Sequence, residues 1–250
     1  MKAMVFAAGL GTRLRPLTDE RPKALVTVAG RTLLELTLSR LRAFGVSEVI
    51  LNVHHFADKI FDYLQANRNF GMRIEISREE VLLDTGGGLK KAAWFFLEAG
   101  KSAQEPFIVH NVDVLSTIDL ARMVRFHAEH NALATPAVQQ RNSSRYLLFD
   151  EQGQLCGRRI GRDRETEWAV SARPVHSFGF SGIQVLSPRI FSNLPEEDAF
   201  SIIPAYLRLA AQGEAILAFR ADESYWRDLG RPEDLAEAER DLANGKYSAS

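Results

Sequence analysis

Phe6-Ala7-Ala8-Gly9-Leu10-Gly11-Thr12-Arg13-Leu14-Arg15-Pro16-Leu17-Thr18, running on to Pro22-Lys23, is the stretch on which the fold turns. Residues 3–8 form a short apolar run that reads as a buried first strand, and it passes directly into small residues and glycine. Such a turn bares backbone N–H groups and lets an anionic group approach the main chain. The glycines alone fit equally well with a tight strand-to-helix turn that needs positive φ. The cations add more: Arg13 follows Gly11 closely enough to bring a planar charged fork to the same cradle. Pro22 fixes the backbone just before Lys23, which suits a lysine held in place. A dinucleotide fingerprint needs a Gly or Ala where Leu14 stands, and no Gly-Lys-Ser/Thr occurs for a phosphate loop.

Outward from this turn, short strand-like runs alternate with helical patterns. Leu33, Leu34, Leu38, Leu41 and Phe44 recur at helical spacing over residues 32–44, and Gly45 stops the run. Strands are expected at 49–53, 73–77, 107–109, 132–138, 178–186 and 216–219. Helices are expected at 57–64, 89–97, from Asp119 as cap to about 130, at 202–211, and at 232–242. Residues 141–166 hold short extended pieces, nothing resembles a linker, and residues 244–250 are expected to fray. The alternation predicts an α/β fold: a mostly parallel, Rossmann-like central sheet with helices on both faces and a smaller substrate-binding portion.

Composition sets bounds. The chain has 250 residues, 46% of them hydrophobic, and 31 Lys+Arg against 32 Asp+Glu leave a net charge of −1. That is enough to fill one large core, and the charge balance argues against holding nucleic acid by bulk electrostatics. No apolar run approaches the roughly 18 residues of a membrane span, and the N-terminus turns polar too soon for a signal peptide. Cys156 is the only cysteine, so no internal disulfide framework exists. The expectation is a cytoplasmic protein with no nucleic-acid or membrane partner; oligomeric state is not readable.

The string Ala7-Ala8-Gly9-x-Gly11-Thr12-Arg13-Leu14-x-Pro16-Leu17-Thr18-x-x-x-Pro22-Lys23 resembles the signature of the sugar-1-phosphate nucleotidyltransferases, also called NDP-sugar pyrophosphorylases. The resemblance implies that Ala8, Gly9, Gly11 and Thr12 wrap the nucleotide, that Arg13 holds the outer phosphates, and that Lys23 meets the transferring phosphate. Leu83-Asp84-Thr85-Gly86-Gly87-Gly88-Leu89, standing before a helical stretch, is similar to the family element beside the nucleobase. That implies nucleotide-binding roles for Thr85, Gly86 and Gly87, with Glu79 as the acidic position near the base. The triple glycine after an acidic residue is most similar to the branch that acts on N-acetylmuramate 1-phosphate with UTP.

Further along, Asn111-Val112-Asp113 resembles the family's Asn-Gly-Asp, with Val112 in place of Gly, and Trp226-Arg227-Asp228-Leu229-Gly230 resembles its late Trp-x-Asp-x-Gly element. The likeness implies that Asp113 and Asp228 are catalytic and bind one Mg²⁺, and that Ser181 and Gly182 line the sugar pocket. Glu-Lys-Pro, a sugar-binding triplet elsewhere in the family, is missing between residues 141 and 173. The likeness covers nearly the whole chain as a single nucleotidyltransferase domain over 1–250, with nucleotide binding in about 1–140 and sugar binding plus the closing helix in about 141–245.

Other features are read as structural. His127 and His130 share a helix face without a third ligand, His54-His55 suit turn packing, and Cys156 has no neighbouring His to activate it. Arg158, Arg159, Arg162 and Arg164 are offset by Asp163, Glu165 and Glu167, a mixed-charge loop. The implied reaction joins a nucleoside triphosphate and a sugar 1-phosphate, most readily UTP and an amino-sugar 1-phosphate. Mannose- or heptose-1-phosphate guanylyl transfer is the alternative, and a non-catalytic nucleotide-sugar sensor is an alternative of another class.

Overall fold

The computed structural model describes residues 1–98, 105–161, 166–194 and 198–247. The expected mixed-charge stretch 162–165 and the last residues of the expected frayed end, 248–250, lie outside the described residues. The chain divides into two units, one of Met1–Leu82, Val109–Ile118 and Ser224–Ser250, the other of Leu83–Ile108 and Asp119–Glu223. Among the described residues no helix is long and apolar enough to cross a membrane.

In the first unit the apolar run before the glycine turn forms the strand Lys2–Phe6. It pairs in parallel with Glu48–Val53, which pairs in parallel with Arg73–Arg78. Met4, Val5, Val49, Ile50 and Leu51 are fully buried, as expected for strands covered on both faces. The helix expected over 32–44 is Leu33–Ala43, and the Thr32 side chain caps its start by accepting the Glu35 N–H at 3.0 Å. Its Leu34, Leu38 and Leu41 are buried, and Gly45 leaves the helix at φ 97°. The helix Ala57–Ala66 begins at Phe56, which adopts a left-handed backbone at φ 58°.

Two short pairings in this unit have no counterpart in the sequence reading. Thr27–Val28 pairs with Arg31–Thr32, and Val114–Ser116 pairs antiparallel with Trp226–Asp228, setting Asp228 opposite Val114. The expected helix at 232–242 is Pro232–Ala243, with proline in its first turn, where its missing N–H costs nothing.

The second unit is largely antiparallel. His176–Leu186 pairs with Ala134–Gln139 and with Arg145–Phe149, and Leu155–Ile160 lies between Arg145–Phe149 and Thr166–Trp168. The extended pieces expected within 141–166 are therefore ordered strands where described. The strand expected at 216–219 is smaller and displaced: Phe219–Arg220 pairs in parallel with Ala134–Gln139, and Ile216 makes only an isolated bridge to Ala134. Helices Leu120–Glu129, capped by Asp119, and Ile202–Ala211 stand where expected.

One helix differs in a way that matters later. Instead of 89–97 there are two, Asp84–Lys91 and Ala93–Phe96, so Gly86–Gly88 lie inside a helix rather than before it. Glycine is a poor helix former, and tertiary contact overrides its propensity here. The strand Phe107–Asn111 begins in the second unit and delivers residues 109–111 to the first.

Candidate active site

In the first unit, the glycine turn, a strand end and a short late strand bring the expected charges together. Gly11 has φ 65°, and a Cβ on it would stand 3.0 Å from Thr18 and 3.1 Å from Lys23, so a side chain there would be strained by the backbone and crowded by both neighbours. The Thr18 hydroxyl closes the turn by donating to the Gly11 carbonyl at 2.9 Å. Gly9, by contrast, has nothing within 4 Å of its missing Cβ, and no backbone bond among the described residues is donated by Gly9, Leu10 or Gly11. Ala8 is buried while Thr12 and Arg13 are exposed.

Pro22, extended at φ −68°, leads into a tight turn over Lys23–Leu25 that buries the Lys23 stem. The Lys23 ammonium donates to Asp113 Oδ2. Asp113 follows the strand Phe107–Asn111, and its carbonyl accepts the Leu229 N–H at 2.7 Å. That bond, together with the pairing of Asp228 and Val114, draws the second carboxylate to the first. Their proximity shows in the electrostatics: burial, then the Asp113 charge, raises the Asp228 pKa above the usual aspartate value, while Lys23 and Arg13 oppose the shift.

Gly230, not among the residues expected to act, explains how Arg13 reaches this group. A Cβ there would stand 2.5 Å from the Arg13 guanidinium and 2.6 Å from Asp228 Oδ1, so glycine lets both charges close over the chain where a side chain would push one of them aside. The Trp-x-Asp-x-Gly spacing carried the signal. The strand bearing Asp228 is pinned from behind, where Arg227 pairs with Asp241 at 2.6 Å. His110 is fully buried near Asp113, and burial and Arg40 push its pKa down to about 3; its Nδ1–H donates to the Asn111 carbonyl at 2.8 Å. It stays neutral, so Lys23 and Arg13 supply the positive charge. Val112 is buried, with its N–H donating to Phe6 at 3.1 Å.

Glu79 is also in this unit, buried just past the strand Arg73–Arg78. Beside it opens a cavity of about 680 Å³ lined by His54, His55, Phe56, Asp58, Arg78 and Glu80 among others. His54 Nδ1 donates to the Glu79 carbonyl at 2.8 Å, and the His55 and Phe56 rings lie 3.8 Å apart.

The remaining expected residues belong to the second unit. Thr85 Oγ1 accepts the Ile202 N–H at 3.1 Å, and the Gly86 and Gly87 amides donate to the Phe200 carbonyl at 2.8 and 3.2 Å. These groups are committed to the fold. Ser181 is buried, and Gly182, at φ 72°, sits where the register of His176–Leu186 slips against Ala134–Gln139. His127 is buried with Nδ1 2.8 Å from Thr135 Oγ1, its pKa lowered to about 4 by burial, whereas His130 is exposed. Burial pushes the Cys156 thiol up to about 11, which leaves it inert.

Among the described residues no group of three or more His, Cys, Asp or Glu gathers as a metal cage. Asp113 and Asp228 nevertheless fit Mg²⁺: they are hard oxygen donors held together against their own repulsion, and Mg²⁺ commonly takes only one or two protein carboxylates.

A family model described as nucleotidyl transferase matches residues 2–156. The chain is 34% identical to the N-acetylmuramate alpha-1-phosphate uridylyltransferase of Caulobacter vibrioides, across 96% of both proteins. It is 30% identical to the mannose-1-phosphate guanylyltransferase of Mycobacterium tuberculosis, across 97% of this chain and 65% of that one. HddC from Yersinia pseudotuberculosis, solved with GMP-PN, matches at a TM-score of 0.75 and 24% identity over 96% of this chain and 99% of that one. A putative glucose-1-phosphate thymidylyltransferase from Bacillus anthracis matches at 0.79 and 14%, over 96% and 94%. These structures share the α/β fold, a mixed sheet with a parallel core.

Proposed function

The chain belongs to the nucleotidyl transferase family, and on that premise we propose that it joins UTP to an amino-sugar 1-phosphate, giving the UDP-sugar and pyrophosphate. The observation that carries this reading is the gathering of Arg13, Lys23, Asp113 and Asp228, with Gly230 between Arg13 and Asp228, and a glycine turn whose amides have no backbone partner among the described residues. The choice of UTP and an amino sugar is supported by the Caulobacter relative.

The attacking sugar-phosphate oxygen is already anionic at neutral pH and needs no base. The barrier lies in bringing two anions together, so positioning and charge neutralisation carry the catalysis. The amides of Gly9 and Gly11 and the Thr12 hydroxyl cradle the triphosphate, and Arg13 draws charge toward the departing pyrophosphate. Lys23, with its stem buried, holds a fixed positive charge against the incoming phosphate. Asp113 and Asp228 would hold Mg²⁺, which supplies Lewis-acid polarisation and aligns phosphate oxygens when bound. Glu79 meets the nucleobase, and Ser181 and Gly182 line the sugar pocket. Residues up to about 140 then serve the nucleotide and 141–245 the sugar, within one catalytic domain working in the cytoplasm.

A grid of four triphosphates against several sugar 1-phosphates, with and without Mg²⁺, read as pyrophosphate released, tests this. UTP with N-acetylmuramate 1-phosphate or a related amino sugar is expected to lead, and chelation to abolish release. A lead by GTP with mannose 1-phosphate would favour the reading supported by the Mycobacterium relative. Nucleotide binding without release anywhere would make the chain a sensor.

A further inference from the structure

The helix Pro232–Ala243 buries Leu235, Ala238 and Asp241, which recur at a spacing of three. Two are apolar; the third is a carboxylate only 6% exposed, on a face where another apolar side chain is the usual occupant. Stability alone explains it poorly, because an apolar pair of similar size commonly replaces a buried ion pair without loss. What the carboxylate adds is direction. Its Oδ2 accepts Arg227 Nη2 at 2.6 Å, Arg227 Nε at 3.1 Å and the Tyr225 hydroxyl at 3.0 Å, while Oδ1 pairs with Lys246 at 3.3 Å. One turn earlier on the same helix, Glu237 accepts from Arg227 Nη1. Arg227 precedes Asp228 on the strand Trp226–Asp228, and neighbouring side chains leave a strand on opposite faces. The helix therefore grips the strand from one face while Asp228 projects from the other.

We propose that Asp241 is a positioning residue for the divalent-cation site: through the Arg227 fork it holds the strand Trp226–Asp228 in place, so that Asp228 stands beside Asp113 before a cation arrives. The proposal rests on the reading above, in which the two carboxylates hold Mg²⁺. The strand is otherwise lightly held. Its ladder is three residue pairs with Val114–Ser116, flanked by bonds between Thr117 and Tyr225 and between Leu229 and Asp113. Against these bonds works the repulsion of the Asp113 charge on Asp228. Without the grip the like charges ease apart, and an incoming cation has to draw them together again; ligands fixed in advance bind more tightly for that reason.

Asp241→Asn keeps the shape of the side chain and removes its charge. In that variant the Kd for Mn²⁺, followed by electron paramagnetic resonance on the protein without substrates, is expected to rise about tenfold. The Mg²⁺ concentration for half-maximal pyrophosphate release should rise in step, and Asp241→Glu, which restores the charge, should recover part of the loss. Adding Asp241→Asn to Asp228→Asn is expected to weaken Mn²⁺ binding and residual turnover no further, because the group it acts through is already gone; a merely structural role predicts losses that add. An unchanged Kd in folded Asp241→Asn, or additive losses in the double variant, overturns the proposal. If Asp241→Asn does not fold, Arg227→Lys, which keeps the charge and loses the fork, decides in its place, an unchanged Kd again counting against it. A wild-type chain that binds no Mn²⁺, or an Asp228→Asn variant that binds it equally well, overturns the parent reading and this one with it. Weakened binding in Asp228→Asn beside unchanged binding in Asp241→Asn overturns this one alone.

Discussion

Two glycine-rich stretches of this chain look alike in sequence and do opposite things. At Gly9 a Cβ would meet nothing within 4 Å, and the neighbouring amides carry no backbone partner among the described residues. At Gly86 and Gly87 a Cβ would stand 2.2 Å from the Phe200 ring and 2.0 Å from the Asp198 carbonyl oxygen. There the amides are already donated to Phe200. The first stretch keeps space and donors open; the second uses the absence of side chains to press main chain on main chain. Glycine content alone does not say whether a loop is built for a ligand or for packing.

The largest expected effect sharpens the open side of this contrast. Arg13→Ala and Asp113→Asn should each cut turnover on the order of 10² or more, because transition-state charge stabilisation is lost. Pyrophosphate release measures it, and near wild-type activity in either variant would remove that residue from the machinery. Next comes the packed side. Gly87→Ala gains about 1 kcal/mol of helix propensity, but its Cβ meets a backbone oxygen that no rotamer change can move. We expect a net loss of about 2 kcal/mol, read by chemical denaturation. A stabilised Gly87→Ala would break the contrast.

Asp228 gives a smaller effect of opposite sign for stability and activity. Its raised pKa means that the folded state disfavours the carboxylate, so wild-type stability should fall as pH rises from the ordinary aspartate range through the raised value. Asp228→Asn should flatten that slope and melt higher at neutral pH, while losing turnover; melting temperatures across a pH series would show otherwise if the slope persisted. The smallest effect is expected at Gly9→Ala: stability within about 0.5 kcal/mol of wild type, with a raised KM for the triphosphate. A large drop in melting temperature would mean that Gly9 is packed after all.

Much of the fold was legible because its signals are local. The leucine spacing over residues 32–44 announces Leu33–Ala43, Asp119 the start of Leu120–Glu129, and Pro232 that of Pro232–Ala243. The pairing of Val114–Ser116 with Trp226–Asp228 was not legible, since three-residue strands carry no periodicity and these are distant in the chain. The helix Asp84–Lys91 was missed for a related reason. Its glycines argue against helix locally, and only the segment around Phe200 repays them. Gly230 and Asp241 were overlooked because their significance lies in what stands beside them, Arg13 with Asp228 and Arg227 with Tyr225.

By itself the sequence determined the α/β alternation and the glycine turn, because propensity, capping and turn chemistry are encoded within a few residues of each other; Arg13, Lys23, Asp113 and Asp228 were singled out by resemblance. Only the tertiary structure decided that Asp228 comes back to Asp113, that one glycine run is open and the other filled, and that Asp241 meets Arg227. Burial, repulsion between neighbouring carboxylates and ion pairing depend on atoms that meet only after the chain has folded.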